Sequence, residues 1–403
     1  MDTRVEQLEL AWQTGKDVGA GVVYMGQRRG SWYPSDRSSR DAPYQKLRNM
    51  RKSHDLSLRP ALVGLALVLF ILAGGGCEPG SGETVANASQ SSQSGRDAEG
   101  WLGEAEFSIG VLEGDDDQVL GKIAAVAVPE SGSIIVADSW AGDLRLFDAG
   151  GRHVKTVGRA GAGPGEYTAI GAVLSEGDRV IAIDRTGKFT EYDNDLNMNR
   201  EVRLPFLPMK PGCLLDDRLV LGESIGESRR PFHIVELNGT VIGSLGVWQE
   251  SESGAMRNQK GEGDFDCADG VLVHATSADG VIRGWDLVSG KLRWEEEIPD
   301  YMELVYRQLD GGAVEVGLPD GVSAYDRVEG LTSTGDGLLL QVGRRRAEDP
   351  TVVVGMRSWL VDSETGTLTP LPSDIPRVTA ASHSRIVTLQ EIPFPQITVY
   401  ERR

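Results

Sequence analysis

Cysteine, histidine, aromatic side chains and positive charge are all scarce in this 403-residue chain. Three cysteines, Cys77, Cys213 and Cys267, are too few for a disulfide scaffold. Cys213 and Cys267 are expected as buried free thiols, because inner strands of adjacent units are often too far apart to bridge. Four histidines lie beyond residue 77: His153, His233, His274 and His383. They fall at different places in the strand pattern described below and do not converge, so neither a metal site nor a cofactor is expected. Asp115-Asp116-Asp117 could touch calcium, but a lone acidic run reads first as solvated loop. There is no Gly-x-Ser-x-Gly and no Cys–His spacing of a nucleophilic enzyme. Basic residues number 41 against 60 acidic ones. Such a surface is repelled by phosphate backbones, which excludes nucleic acid as a partner.

Glycine is plentiful, with 51 residues, nearly twice the usual ~7%, and this suits a fold of many tight turns. In Gly121–Tyr167 three apolar runs, Ile123–Val128, Ile134–Ala137 and Leu144–Phe147, precede a weaker one, His153–Val157. Glu130-Ser131-Gly132, Ala141-Gly142-Asp143 and Ala149-Gly150-Gly151 separate them. Short β-rich runs bounded by turn residues read as an antiparallel meander, and four in about 45 residues make one β-propeller blade.

The pattern recurs. Runs of third-strand type end at Asp148, Asp193, Leu237, Asp286, Asp362 and Glu401. Their spacing is even except between Asp286 and Asp362, where an insertion, Asp300–Tyr325, carries an expected short helix at Tyr301–Leu309. The chain therefore reads as all-β, a six-bladed β-propeller. The last unit lacks a fourth strand, and Ala105–Leu112 is a strand without a unit. Pairing the two closes the ring and removes two exposed edges.

The joint Gly158-Arg-Ala-Gly-Ala-Gly-Pro-Gly-Glu-Tyr167, with Val136–Asp138 and Leu144–Gly158, resembles the six-bladed propellers related to the NHL repeat. Glycines there allow positive φ and close approach between blades, and Pro164 fixes the turn. No Lys-Ser/Thr or helix follows Gly165, so the joint does not read as a phosphate loop.

Upstream, residues 1–49 show no sustained period and read as unstructured or as lying before the true start at Met50. Residues 50–77 read as a signal peptide or membrane anchor: a basic segment, thirteen uncharged residues Ala61–Ala73, then Gly74-Gly75-Gly76-Cys77. A span needs roughly 20 apolar residues, so a single-span anchor is the weaker alternative. Cys77 after small residues resembles a bacterial lipobox, which implies lipidation there, although Gly74 stands where that motif has Leu, Val or Ile. Residues 78–100 read as a flexible linker, and 101–403 as the propeller.

Most Trp and Tyr residues fall on strands, where packing between blades is their role. The loops between second and third strands share a face with the blade joints. They are expected to carry Trp140, Arg185, Arg229, Arg230, Arg344, Arg345, Arg346 and Phe394. Arginine and aromatic side chains on one face of an acidic domain suggest recognition of a protein or glycan ligand, against the plainer reading of solvated loop arginines. The expectation is a monomeric binding or scaffolding module of a bacterial cell envelope, membrane-anchored and extracytoplasmic. The alternative is an extracytoplasmic lyase or hydrolase using the axial channel.

Overall fold

The computed structural model describes residues 101–402, apart from 216, 224–229, 248–253, 310–312 and 374. The expectations for residues 1–100, Cys77 among them, and for Arg229 lie outside the described residues. The strands form six four-stranded antiparallel sheets and one two-stranded hairpin. Blade one is β2 (Ile123–Ala127), β3 (Ile134–Asp138), β4 (Asp143–Phe147) and β5 (His153–Gly158). Blade two is β6 (Ile170–Glu176), β7 (Arg179–Asp184), β8 (Lys188–Asp193) and β9 (Met198–Arg203). Blade three is β10 (Pro208–Leu215), β11 (Arg218–Glu223), β12 (Phe232–Glu236) and β13 (Val241–Leu245). After a short helix α1 (Gly254–Lys260) comes blade four, β14 (Gly263–Ala268), β15 (Val271–Thr276), β16 (Val281–Asp286) and β17 (Leu292–Glu297). The hairpin β18 (Val305–Gln308) and β19 (Val314–Gly317) precedes blade five, β20 (Ala324–Ser333), β21 (Leu338–Arg346), β22 (Val353–Val361) and β23 (Leu368–Leu371). Blade six is β24 (Val378–Ala381), β25 (Arg385–Gln390), β26 (Gln396–Arg402) and β1 (Leu102–Ile109).

The strand sequences follow from where each strand sits. Strands β3 and β4 are buried along their whole length; β3 is apolar up to Asp138, and the charged residues of β4, Asp143 and Arg145, are buried as an ion pair. Outermost β5 alternates between half-buried and exposed, and β17, LRWEEE, is almost wholly solvated. Six core clusters fill the interfaces between successive blades, including one that joins Ile109, Ile397 and Val399 of blade six to Ile123 and Phe147 of blade one.

Closure is as expected, with the strand beginning three residues earlier. Leu102–Ile109 pairs antiparallel with the last strand, Phe107 opposite Val399 and Ile109 opposite Ile397. A recurrent acidic residue fixes the joints. Buried Asp138, at the end of β3, accepts the amides of Gly121 (2.6 Å), Lys122 (3.1 Å), Trp140 (3.0 Å) and Ala141 (3.2 Å). Asp184 does the same in blade two for Thr168, Ala169 and Thr186. One carboxylate thus holds both the strand-two-to-three loop and the incoming joint. Gly158, at φ +85°, lets the Tyr167 ring lie where a Cβ would stand 2.9 Å from it.

Three expectations are corrected. Tyr301–Leu309 is not a helix: Val305–Gln308 pairs with Val314–Gly317, Tyr306 opposite Val316. Tertiary anchors fix its base, because the Tyr301 hydroxyl donates to the Ser277 and Asp326 carbonyls and the Met302 amide donates to the Asp326 carboxylate. Cys213 and Cys267 are not free thiols. They lie on β10 and β14, innermost strands that converge toward the axis to a Cα separation of 5.7 Å, and they form a disulfide. Arg344, Arg345 and Arg346 are not in a loop, since the β21–β22 ladder reaches Arg345 opposite Val353 and Ala324 on β20 pairs with Arg346.

Candidate functional site

The six innermost strands, β2, β6, β10, β14, β20 and β24, surround an axial channel of about 1390 Å³. Small residues such as Ala124, Gly171, Gly212, Gly330 and Ala380 line it and keep it open. Each inner strand starts from a blade joint, so the joints, the strand-two-to-three loops and one mouth of the channel share a face.

That mouth is rich in cations. Lys122, Arg185, Arg327, Arg345 and Arg377 line it, with Asp264, Glu329 and Glu391 as the acidic lining there. On the side of blades four to six the arginines are paired. Arg345 grips Glu329 through two nitrogens (2.7 and 2.8 Å), Arg327 pairs with Glu262, and Arg377 lies 4.0 Å from Glu391. On the side of blades one and two, the side chains of Lys122 and Arg185 are exposed and have no ionic or hydrogen-bonding partner among the described residues. Arg185 is placed by packing. It lies across Gly171, where a Cβ would come 2.6 Å from its Nε.

Along β14, Asp264 and, further down the channel, Asp266 face the neighbouring blade and accept inner-strand amides, Leu331 at 3.1 Å and Ser333 at 2.7 Å. Burial pushes the Asp266 carboxyl up to about 7, against the pull of the Ser333 and Cys267 amides. No cluster of three or more metal-ligating side chains occurs among the described residues.

The expected site residues divide by role. Trp140 stands 69% exposed on the joint face beside Lys122. Arg185 lies at the mouth, and Arg230 and Arg346 are exposed on the same face. Arg344, held above its ordinary range by its bond to Asp326, is structural. With Arg357 it clasps that buried carboxylate (3.0 and 2.6 Å) and so fixes the root of the inserted hairpin. Phe394 is half-buried. Lys122, just before β2, and Arg327, within β20, were not expected because neither lies in a loop between second and third strands. A cation just before or early in the innermost strand of a unit was the available signal.

Sixteen large apolar side chains are exposed among the described residues. Eleven of them lie on the joint face: Val111, Leu112, Trp140, Leu207, Met209, Val247, Val305, Val352, Val353, Val354 and Ile392. Val288 is on the opposite face, and the other four are on outer strands.

A family model described as a 6-bladed beta-propeller matches residues 105–219. No curated protein matches the chain. Among solved structures, a member of the duf4221 family from Bacteroides vulgatus has a TM-score of 0.50 at 9% identity, covering 75% of this chain and 97% of its own. A Bacteroides fragilis protein described as exported has a TM-score of 0.49 at 14% identity, covering 77% and 97%. At 9% identity the likeness to the Bacteroides vulgatus protein shows the propeller fold alone.

Proposed function

We propose that this chain is an exported, monomeric propeller of a bacterial envelope, related to the NHL-repeat proteins and tethered by lipid at Cys77. It acts as a binding or scaffolding module whose joint face docks a protein partner. One observation carries the reading: eleven of the sixteen exposed large apolar side chains gather on that face. Soluble monomers scatter such side chains, and their concentration around one end marks an interaction surface. Two further features support it. A disulfide between Cys213 and Cys267 suits an oxidising compartment. The cation-lined mouth at the centre of the same face supplies charge inside an apolar rim.

Covalent footprinting of the full chain in an envelope extract and in buffer tests this. Protection of Trp140 and Val352–Val354 is the expected result. Protection around Val288 instead, or none anywhere, overturns it.

A further inference from the structure

We propose that Lys122 and Arg185 form an anion-binding pair at the joint-face mouth of the channel, and that their ligand is an acidic oligosaccharide bound through a sugar carboxylate. The inference deepens the reading of the joint face as the binding face and adds a second, small-ligand site at its centre. The argument begins with charge. The chain is strongly acidic, yet this mouth gathers five cations against three lining carboxylates. A cation-rich cleft with low-dielectric walls concentrates anions from solution.

The partners then locate the site. Glu329 and Glu262 hold Arg345 and Arg327, whereas Lys122 and Arg185 carry no partner among the described residues. Arg185 is nonetheless not left to sweep through solvent. Gly171 makes the room in which its side chain lies across the inner strand of blade two, and any side chain there would displace it. A guanidinium positioned by packing, with its donors unused, is preorganised for the planar, two-oxygen geometry of a carboxylate. Lys122 sits at the start of the adjacent blade's inner strand and supplies a second, mobile charge.

The sugar assignment rests on what surrounds the pair. Thr379 stands on the channel wall, and toward the opposite mouth the hydroxyls of Ser175, Thr332 and Ser382 follow, set among aliphatic side chains such as Val126, Val173 and Leu331. Beside it Trp140 presents an exposed indole on the loop whose Ser139 donates to the Lys122 carbonyl. An indole face against the C–H face of a pyranose, hydroxyl partners and one charge pair together fit an acidic sugar. The channel volume exceeds the ~300–1,000 Å³ of ordinary small-molecule pockets, which leaves space for several residues of a chain.

The test is calorimetric titration of the full chain with hexagalacturonate, its fully methyl-esterified form and hexaglutamate. The acidic sugar should bind with an affinity that falls as salt is raised, and the ester should bind at least about tenfold more weakly. Arg185→Gln and Lys122→Gln should each weaken hexagalacturonate about tenfold or more without moving the melting temperature. Gly171→Ala, which keeps the arginine and displaces it, should weaken binding as well. Absence of binding, equal binding of the ester, or insensitivity to both charge substitutions overturns the proposal. Hexaglutamate binding as tightly as the sugar overturns the sugar assignment. Footprint protection of Val352–Val354 by a protein, with no galacturonate binding, would sink this inference and leave the docking face standing.

Discussion

Lys188 and Glu201 form a 2.7 Å ion pair beneath the glycine-rich joint between the first two blades, with the lysine side chain almost wholly buried. The same ammonium donates to the carbonyls of Glu166 (2.6 Å) and Gly163 (3.2 Å), so a third strand and a fourth strand of blade two together hold the joint in place. Lys188→Met should therefore cost about 3–5 kcal/mol, since it leaves a half-satisfied carboxylate and two unpaired carbonyls. Glu201→Gln keeps an acceptor and should cost less. Urea denaturation of the two variants checks the order.

Asp138 satisfies four backbone amides at once. Asp138→Ala should lower stability by roughly 2–4 kcal/mol, because buried donors lose their acceptor. Asp138→Asn, which retains one carbonyl oxygen, should fall in between. If alanine proves harmless, the loops are held by something other than this carboxylate.

The disulfide joins positions 54 residues apart. Replacing Cys213 and Cys267 together by serine should remove about 2–4 kcal/mol, mainly by freeing the unfolded chain. Denaturation of the oxidised and reduced wild-type protein should show the same difference. A variant that matches the oxidised protein would show that the bond adds no constraint.

Ring closure predicts a sharp contrast between two truncations. A chain starting at Trp101 keeps β1, whereas one starting at Glu113 exposes the edge of β26 and uncovers Ile397 and Val399, which pack with Ile109. Thermal melts should be cooperative for the first, with loss of cooperativity or aggregation for the second.

Asp266 gives a pH dependence of known sign. Its folded pKa of about 7 lies above the ~3.9 of an unfolded aspartate, so the folded state binds more protons between those values. Stability from this group is present at low pH and falls as pH rises toward 7, by at most about 1.4 kcal/mol per pH unit. Across that window the stability of wild type relative to Asp266→Asn should decline, then level off above it. A difference that rises with pH would reverse the assignment.

The sequence by itself determined the blade count, the closing strand and the face on which joints and loops gather. Those properties are local and repeated: turn residues at fixed spacing, second and third strands of recurrent type such as SIIVAD and DLRLFD, and a strand left over at the first end. Only the tertiary structure decided which arginines are available. Whether Arg344 grips Asp326 while Arg185 lies unpaired depends on which strands meet across the sheet, and spacing along the chain carries no record of it. The bond between Cys213 and Cys267 depends likewise on how closely two inner strands approach the axis, a distance set by six blades packing together. Tyr301–Leu309 has the composition of a helix. Its base is extended because Ser277 and Asp326, distant in sequence, anchor the Tyr301 hydroxyl and the Met302 amide to the neighbouring strands.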